Sequence, residues 1–119
     1  NCSAATNTGN CSAATNTGYC SAATNTGDRS AATNTGDQSV AVSMGGFSTA
    51  KVSGKDSVAV VTGRDSKAAG ALGDWIVLTE RDDWSWGYRI KDVKAFKVDG
   101  EKIKADTFYK LVDGEAVEA

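Results

Sequence analysis

The chain has 119 residues, 40% of them apolar, with a net charge of −2, no histidine and no proline. That length suits one compact domain or two small units. The near-neutral charge gives no reason to expect nucleic acid or an anionic membrane as partner, and no run of about 18 apolar residues is present to insert into a bilayer.

The chain opens with NCSAATNTG, written three times with almost no change. Its first residue is Asn1 rather than Met, so the sequence reads as a fragment or a processed chain. Charge is uneven: residues 1–54 carry only Asp28, Arg29, Asp37 and Lys51, and the remaining 65 residues hold the other 24 charges. The nine-residue register outlasts the near-identical copies. Serine recurs every nine residues from Ser3 to Ser66, alanine from Ala5 to Ala68, and glycine from Gly9 to Gly63. A final unit, RDSKAAGALG, has one extra residue and ends at Gly73. Low complexity is also the mark of disorder. Here the later units diverge everywhere except at Ser, Ala and Gly, which points to a shared steric limit.

Residues two apart lie on one side of a strand. Glycine at the end of each unit fits a turn that needs positive φ or a close backbone approach. Each unit therefore reads as a short strand and a turn, and stacked units make a β-solenoid. The ladder Ser3, Ala5, Asn7, Ser12, Ala14, Asn16, Ser21, Ala23 and Asn25 is placed inside. The opposite parity admits Lys51 and Lys67 and is placed outside. Stacked asparagine amides are expected to hydrogen-bond to one another along the axis.

Nine residues are too few to bring a strand back under itself, so two units, or 18 residues, form one coil. The diverged units agree. The outward residues of the fifth and seventh are Val40, Val42, Met44, Val58, Val60 and Thr62; those of the sixth and eighth are Thr49, Lys51, Ser53, Lys67, Ala69 and Ala71. One sheet is thus apolar outside and the other polar. An exposed valine patch needs a cover, either the C-terminal segment or another copy of the chain. Val40, Val42, Met44, Val58 and Val60 are the expected oligomer face.

The phrases SVAVSMG and SVAVVTG, with Ser39, Ala41, Ser57 and Ala59, resemble the S-x-A-x-G strand motif of YadA-type trimeric autotransporter adhesin heads. That resemblance implies a parallel β-roll packed around a common axis with other copies. The glycine falls later here, and the period is a strict nine. Repeats followed by a tryptophan-containing tail also resemble nonapeptide-repeat proteins of phages and gut bacteria, which bring no activity with them.

From Asp74 the pattern changes. DWIVLTE and IKDVKAFKV read as strands, and Asp99-Gly100 and Asp113-Gly114 read as hairpin turns. Residues 74–119 are expected to form four or five antiparallel strands. They would dock on the last coil of a solenoid spanning 1–73 through Trp75, Ile76, Val77, Leu78 and Phe96. The docking serves both parts: 46 residues are few for an independent core, and a solenoid end needs a cap. The expected fold is therefore all-β, a solenoid of nine-residue repeats ended by a small antiparallel β domain.

Four side-chain groups stand out. Cys2, Cys11 and Cys20 occupy a turn slot later filled by Arg29, Gln38, Phe47, Asp56 and Asp65, which reads as an exposed, tolerant position. With 18-residue coils, Cys2 and Cys20 are one rung apart, close enough for a cross-link, and Cys11 sits on the opposite edge where it could join two chains. Thr6 and Thr8, with Thr24 and Thr26, form outward Thr-x-Thr ranks that suit either a solvated strand face or ice contact. Trp84, Trp86 and Tyr88 suit core packing or a sugar-binding surface. The absence of histidine, of Cys-x-x-Cys, of repeated Asp/Gly-Gly turns and of nucleophile or phosphate-loop motifs leaves no support for zinc, calcium, another cofactor or catalysis. The expected role is mechanical: a self-associating rod or fibre segment on a cell surface or virion.

Overall fold

The computed structural model describes residues 4–11, 13–20, 22–81 and 90–119. The strands in chain order are β1 (Ala4–Asn7), β2 (Ala13–Asn16), β3 (Ala22–Asn25), β4 (Ala31–Asn34), β5 (Val40–Ser43), β6 (Thr49–Val52), β7 (Val58–Val61) and β8 (Lys67–Ala69), followed by β9 (Trp75–Arg81), β10 (Ile90–Lys97), β11 (Tyr109–Val112) and β12 (Glu115–Glu118). The fold is a β-solenoid of about four coils. Odd strands stack in one sheet, in the order β1-β3-β5-β7-β9-β10, and even strands in a second, β12-β11-β8-β6-β4-β2. Partners in the repeat are parallel and 18 residues apart, as in Ala5↔Ala23 and Ala14↔Ala32. Two units make a coil because each four-residue strand needs a turn on either side to reverse it.

The interior is a column of small side chains. Ala14, Ala23, Ala32, Ala41, Ala50, Ala59 and Ala68 are buried, as are Ser30, Ser39, Ser48, Ser57 and Ser66. Ser48 does three things. It takes the backbone N–H of Ser30 on its Oγ at 3.2 Å. Its hydroxyl in turn reaches the Gly27 carbonyl of the preceding coil at 3.2 Å and its own turn's Gly46 carbonyl at 3.3 Å. Ser57 and Ser66 repeat the full pattern, and Ser30 and Ser39 make the same two carbonyl contacts. A buried hydroxyl so used leaves the turn backbone satisfied in a narrow interior.

The glycine rule has a different cause from positive φ. In every described repeat turn the left-handed residue is the second after glycine: Cys11, Cys20, Arg29, Gln38, Phe47, Asp56 and Asp65, with φ of 50–57°. The glycine itself sits directly on the coil below. A Cβ on Gly45 would lie 2.1 Å from the Gly27 carbonyl oxygen, and one on Gly63 would lie 2.0 Å from that of Gly45.

Asn16, Asn25 and Asn34 are buried, and each Nδ2 donates across the corner to the carbonyl six residues on, at Ala22, Ala31 and Val40. Ser43 makes the same bond to Thr49 at 2.9 Å. After that the slot becomes Val52 and Val61, both fully buried, and then Gly70. Gly70 leaves room for the cap: a Cβ there would meet Asp74, Val98 and Ile76 at 3.2–3.6 Å.

The tail extends both sheets. Its strands are not all antiparallel, because β9 pairs in parallel with β7 (Ala59↔Ile76) and so adds a rung to the odd sheet. Antiparallel pairing then joins β10 to β9, β11 to β8 and β12 to β11. Alternation along β9 also divides the expected docking set. Ile76 and Leu78 enter the core with Phe96 partly buried against it, whereas Trp75 and Val77 point outward. Asp113-Gly114 forms the two-residue hairpin turn, with φ of 50° and 81°, the left-handed pair of a type I′ turn. Asp99-Gly100 does not join adjacent strands. There Asp99 Oδ1 takes the N–H of Glu101 and of Ile103 in a local turn, and those bonds hold its carboxyl below the usual range.

Candidate functional site

The outer face of the odd sheet is the candidate site. Parallel, in-register pairing turns one apolar residue per strand into a continuous row. One row runs Val40↔Val58↔Trp75, and the next runs Val42↔Val60↔Val77↔Ala95. Val40, Met44 and Trp75 are 36%, 44% and 45% exposed, and Val42, Val58, Val60 and Val77 are half-buried by their row neighbours. Among the described residues no strand crosses this face. The tail strands lengthen the sheets in their own planes. The sequence reading found the valines but missed that Trp75 completes their row, because that depends on the parallel register of β9.

The same stacking sets the other groups. Thr6 pairs with Thr24, and Thr15 with Thr33, so the outward threonines form two-rung patches, one on each sheet. They end where Val42 and Lys51 take over the columns. The odd-sheet patch, which includes Thr8 and Thr26, therefore adjoins the valine rows. Cys11 and Cys20 are exposed on opposite edges, and the Cys20 thiol faces Gln38 Oε1 at 3.8 Å. Cys2, Ser3, Ser12, Ser21, the Asn7 side chain, and Trp84, Trp86 and Tyr88 lie outside the described residues. Ala5 is partly buried against the core. Among the described residues no three histidine, cysteine or acidic side chains gather closely enough to hold a metal ion.

One buried charge governs the end of the column. Asp74 is fully buried where the next serine of the ladder would fall, and its Oδ1 takes the Ser57 N–H at 3.0 Å in the serine's place. Its Oδ2 takes the Ala71 N–H at 3.1 Å. Burial raises its carboxyl above the usual range, with the charges of Asp56 and Asp37 adding to the rise, while the two backbone bonds oppose it. At the opposite corner of the cap, the Glu80 carboxylate takes the N–H of Asp113 at 2.8 Å and of Gly114 at 3.2 Å, with Lys91 3.8 Å away. Glu80 therefore ties the β11–β12 turn to β9. Neither role has a local sequence signal, since both partners are distant in the chain.

No family model, curated protein or solved structure matches this chain.

Proposed function

We propose that the protein is a structural repeat element, a stiff spacer or fibre segment of a surface or phage assembly, whose copies pack side by side through the outer face of the odd sheet. The observation that carries this reading is the unbroken apolar row Val42, Val60, Val77, Ala95 beside Val40, Val58 and Trp75. The resemblance to trimeric adhesin heads supports the same arrangement. Stiffness follows from the ladder. The strands pair rung to rung, and so do the turns, through Cys11 N–H to Asp28 O, Arg29 N–H to Gly46 O and Phe47 N–H to Arg64 O.

Size sets the strength of packing. Six strands about 4.8 Å apart and four residues of about 3.3 Å each project roughly 350 Å². A stable pair of proteins covers about 800 Å² on each partner. Association is therefore concentration-dependent for a unit of this length, and it strengthens as coils are added. Light scattering after size exclusion, across a hundredfold range of concentration and with reductant, tests the reading. The expected outcome is a discrete dimer or trimer at the high end that Val42→Lys with Val60→Lys dissolves. A monomer throughout, or an assembly indifferent to the lysines, refutes it.

The flat threonine pairs Thr6↔Thr24 and Thr15↔Thr33 favour a second reading, ice contact. It predicts inhibition of ice recrystallisation that Thr24→Lys with Thr26→Lys abolishes. No inhibition by the unaltered protein at high concentration removes it.

A further inference from the structure

The cap ends in an edge of its own. β10 is the last strand of the odd sheet, and among the described residues it pairs with β9 alone. Along an antiparallel pair, every second residue turns its N–H and C=O to the partner and the others turn theirs away. The Val98 N–H bonds to the Asp74 carbonyl, so Phe96 and Lys94 face β9 with their backbone groups. Val93, Ala95 and Lys97 therefore turn theirs to the open side. Trp75, opposite Lys97, agrees: its N–H goes to Ser57 O on the far side of β9. The Asp92 carboxylate takes the Val93 N–H at 2.9 Å. Ala95 and Lys97 are left, both exposed, at the end of β10 remote from Ile90.

A cleft of about 650 Å³ opens beside this stretch. Phe96, Ile103 and Ala116 give it an apolar floor where the two sheets end. Lys94 crosses one end, its Nζ donating to the Gly114 carbonyl at 2.8 Å and lying 3.7 Å from Asp92 Oδ2. Lys97 and Lys102 stand exposed on the rim, and among the described residues neither has a carboxylate within ion-pair distance. Two acids also line the cleft. Asp99 spends its Oδ1 on the N–H groups of Glu101 and Ile103, and Glu115 forms no ion pair among the described residues.

We propose that β10 accepts an extended segment of a partner protein as a further strand, one in which apolar and acidic residues alternate. The segment's backbone bonds to Ala95 and Lys97. Neighbouring residues of a strand point to opposite faces. Apolar side chains therefore settle on Phe96, Ile103 and Ala116, while acidic ones meet Lys97 on the other face and Lys102 at the rim. Strand addition takes its affinity from the main chain and its specificity from pockets for alternate side chains. Only a polypeptide offers the run of N–H and C=O groups that this edge leaves unmatched, which sets nucleic acid and polysaccharide aside. A second copy of β10 is a poor occupant. Each strand carries Lys91, Lys94 and Lys97 against Asp92, so self-pairing gathers three lysines from each copy on one seam.

The edge lies in the plane of the sheet, so the proposal stands apart from the packing of copies through its outer face. Its test is fluorescence anisotropy of the unaltered protein with a labelled peptide, Glu-Val-Glu-Val-Glu-Val-Glu, read beside hydrogen exchange of the complex. Saturable binding is expected, with new protection at the amides of Ala95 and Lys97. The same peptide N-methylated throughout should not bind, and Lys-Val-Lys-Val-Lys-Val-Lys should bind about tenfold more weakly or worse. Lys97→Glu with Lys102→Glu should reverse that preference, and Lys51→Gln on β6 should leave binding unchanged. Ala95→Pro removes an N–H that β9 does not use, a change edge strands tolerate, and should weaken binding about tenfold. Thermal melts establish that each variant is folded, and the lysine variants carry the test should the proline not fold. Absence of binding, undiminished binding of the N-methylated peptide, preference for the lysine peptide, or tighter binding of a peptide with the β10 sequence IKDVKAFK would each overturn the proposal.

Discussion

Replacing Gly45 by alanine tests how the coils are held together. The new Cβ would fall 2.1 Å from the Gly27 oxygen, 2.5 Å from its carbonyl carbon and 2.8 Å from the Asp28 nitrogen. All three are backbone atoms of the coil below, so no side chain can swing aside. Carbon atoms rest about 3.5–4 Å apart, so the two coils must separate locally by more than ~1 Å. Three bonds cross this corner: Arg29 N–H to Gly46 O at 2.9 Å, Gly46 N–H to Asp28 Oδ1 at 2.9 Å, and Ser48 Oγ to Gly27 O at 3.2 Å. An ångström of opening takes each beyond hydrogen-bond range. At about 1 kcal/mol for each bond, plus about 1–3 kcal/mol of overpacking, the cost is about 4–6 kcal/mol. A domain has about 5–15 kcal/mol in all.

The neighbouring Gly46→Ala is the control. Its Cβ meets nothing closer than Arg64 Cγ at 3.4 Å, and its φ is not left-handed. A change within about 1 kcal/mol is expected, helped by a stiffer unfolded chain. Urea and thermal denaturation of the two variants should differ by about 3 kcal/mol or more, or about 10 °C in midpoint. If the two adjacent alanines cost the same to within 1 kcal/mol, the close approach of coils is not what demands glycine.

Three further outcomes follow from the cap and the turns. Asp74→Asn removes one of two buried acceptors and should cost about 1–3 kcal/mol. Because the folded carboxyl is raised above its ordinary value of 3.8, its contribution is complete below pH 3.8 and is lost as pH rises through the folded value. The stability difference between the native protein and Asp74→Asn should therefore shrink with rising pH across that window, and an unchanged or growing difference would refute the assignment. Glu80→Ala frees the N–H groups of Asp113 and Gly114 and should cost about 1.5–3 kcal/mol, with hydrogen exchange faster in 109–118 than in the repeat; uniform exchange would show that Glu80 does not clasp the hairpin. Mild oxidation should give cross-linked dimers that Cys11→Ser reduces, since Cys11 and Cys20 sit on opposite edges and cannot join within one chain. Dimers that persist undiminished would place the cross-link elsewhere.

The sequence alone determined the period and the parity. Ser, Ala and Gly recur every nine residues because every coil meets the same neighbour in the same way, so a single chain displays its own constraint many times over. Alternation then assigned Ala14 and Ala23 to the interior and Val42 and Val60 to the exterior, and the contrast between odd and even units showed that two units close a coil. Only the tertiary structure decided what each contact was. The glycine clash, the serine ladder and the turn-to-turn bonds join residues 17, 18 or 21 apart, and their geometry depends on how closely one coil settles on the next. The role of Asp74 as a stand-in for the missing serine has no local signal, because its partner Ser57 becomes a neighbour only when β9 takes a parallel rung. That same register turned Trp75 outward to extend the valine row. The arginine pair around Phe47 arose in the same way, as Arg29, Phe47 and Arg64 are ordinary turn residues until the stacking of coils brings two positive charges to one ring.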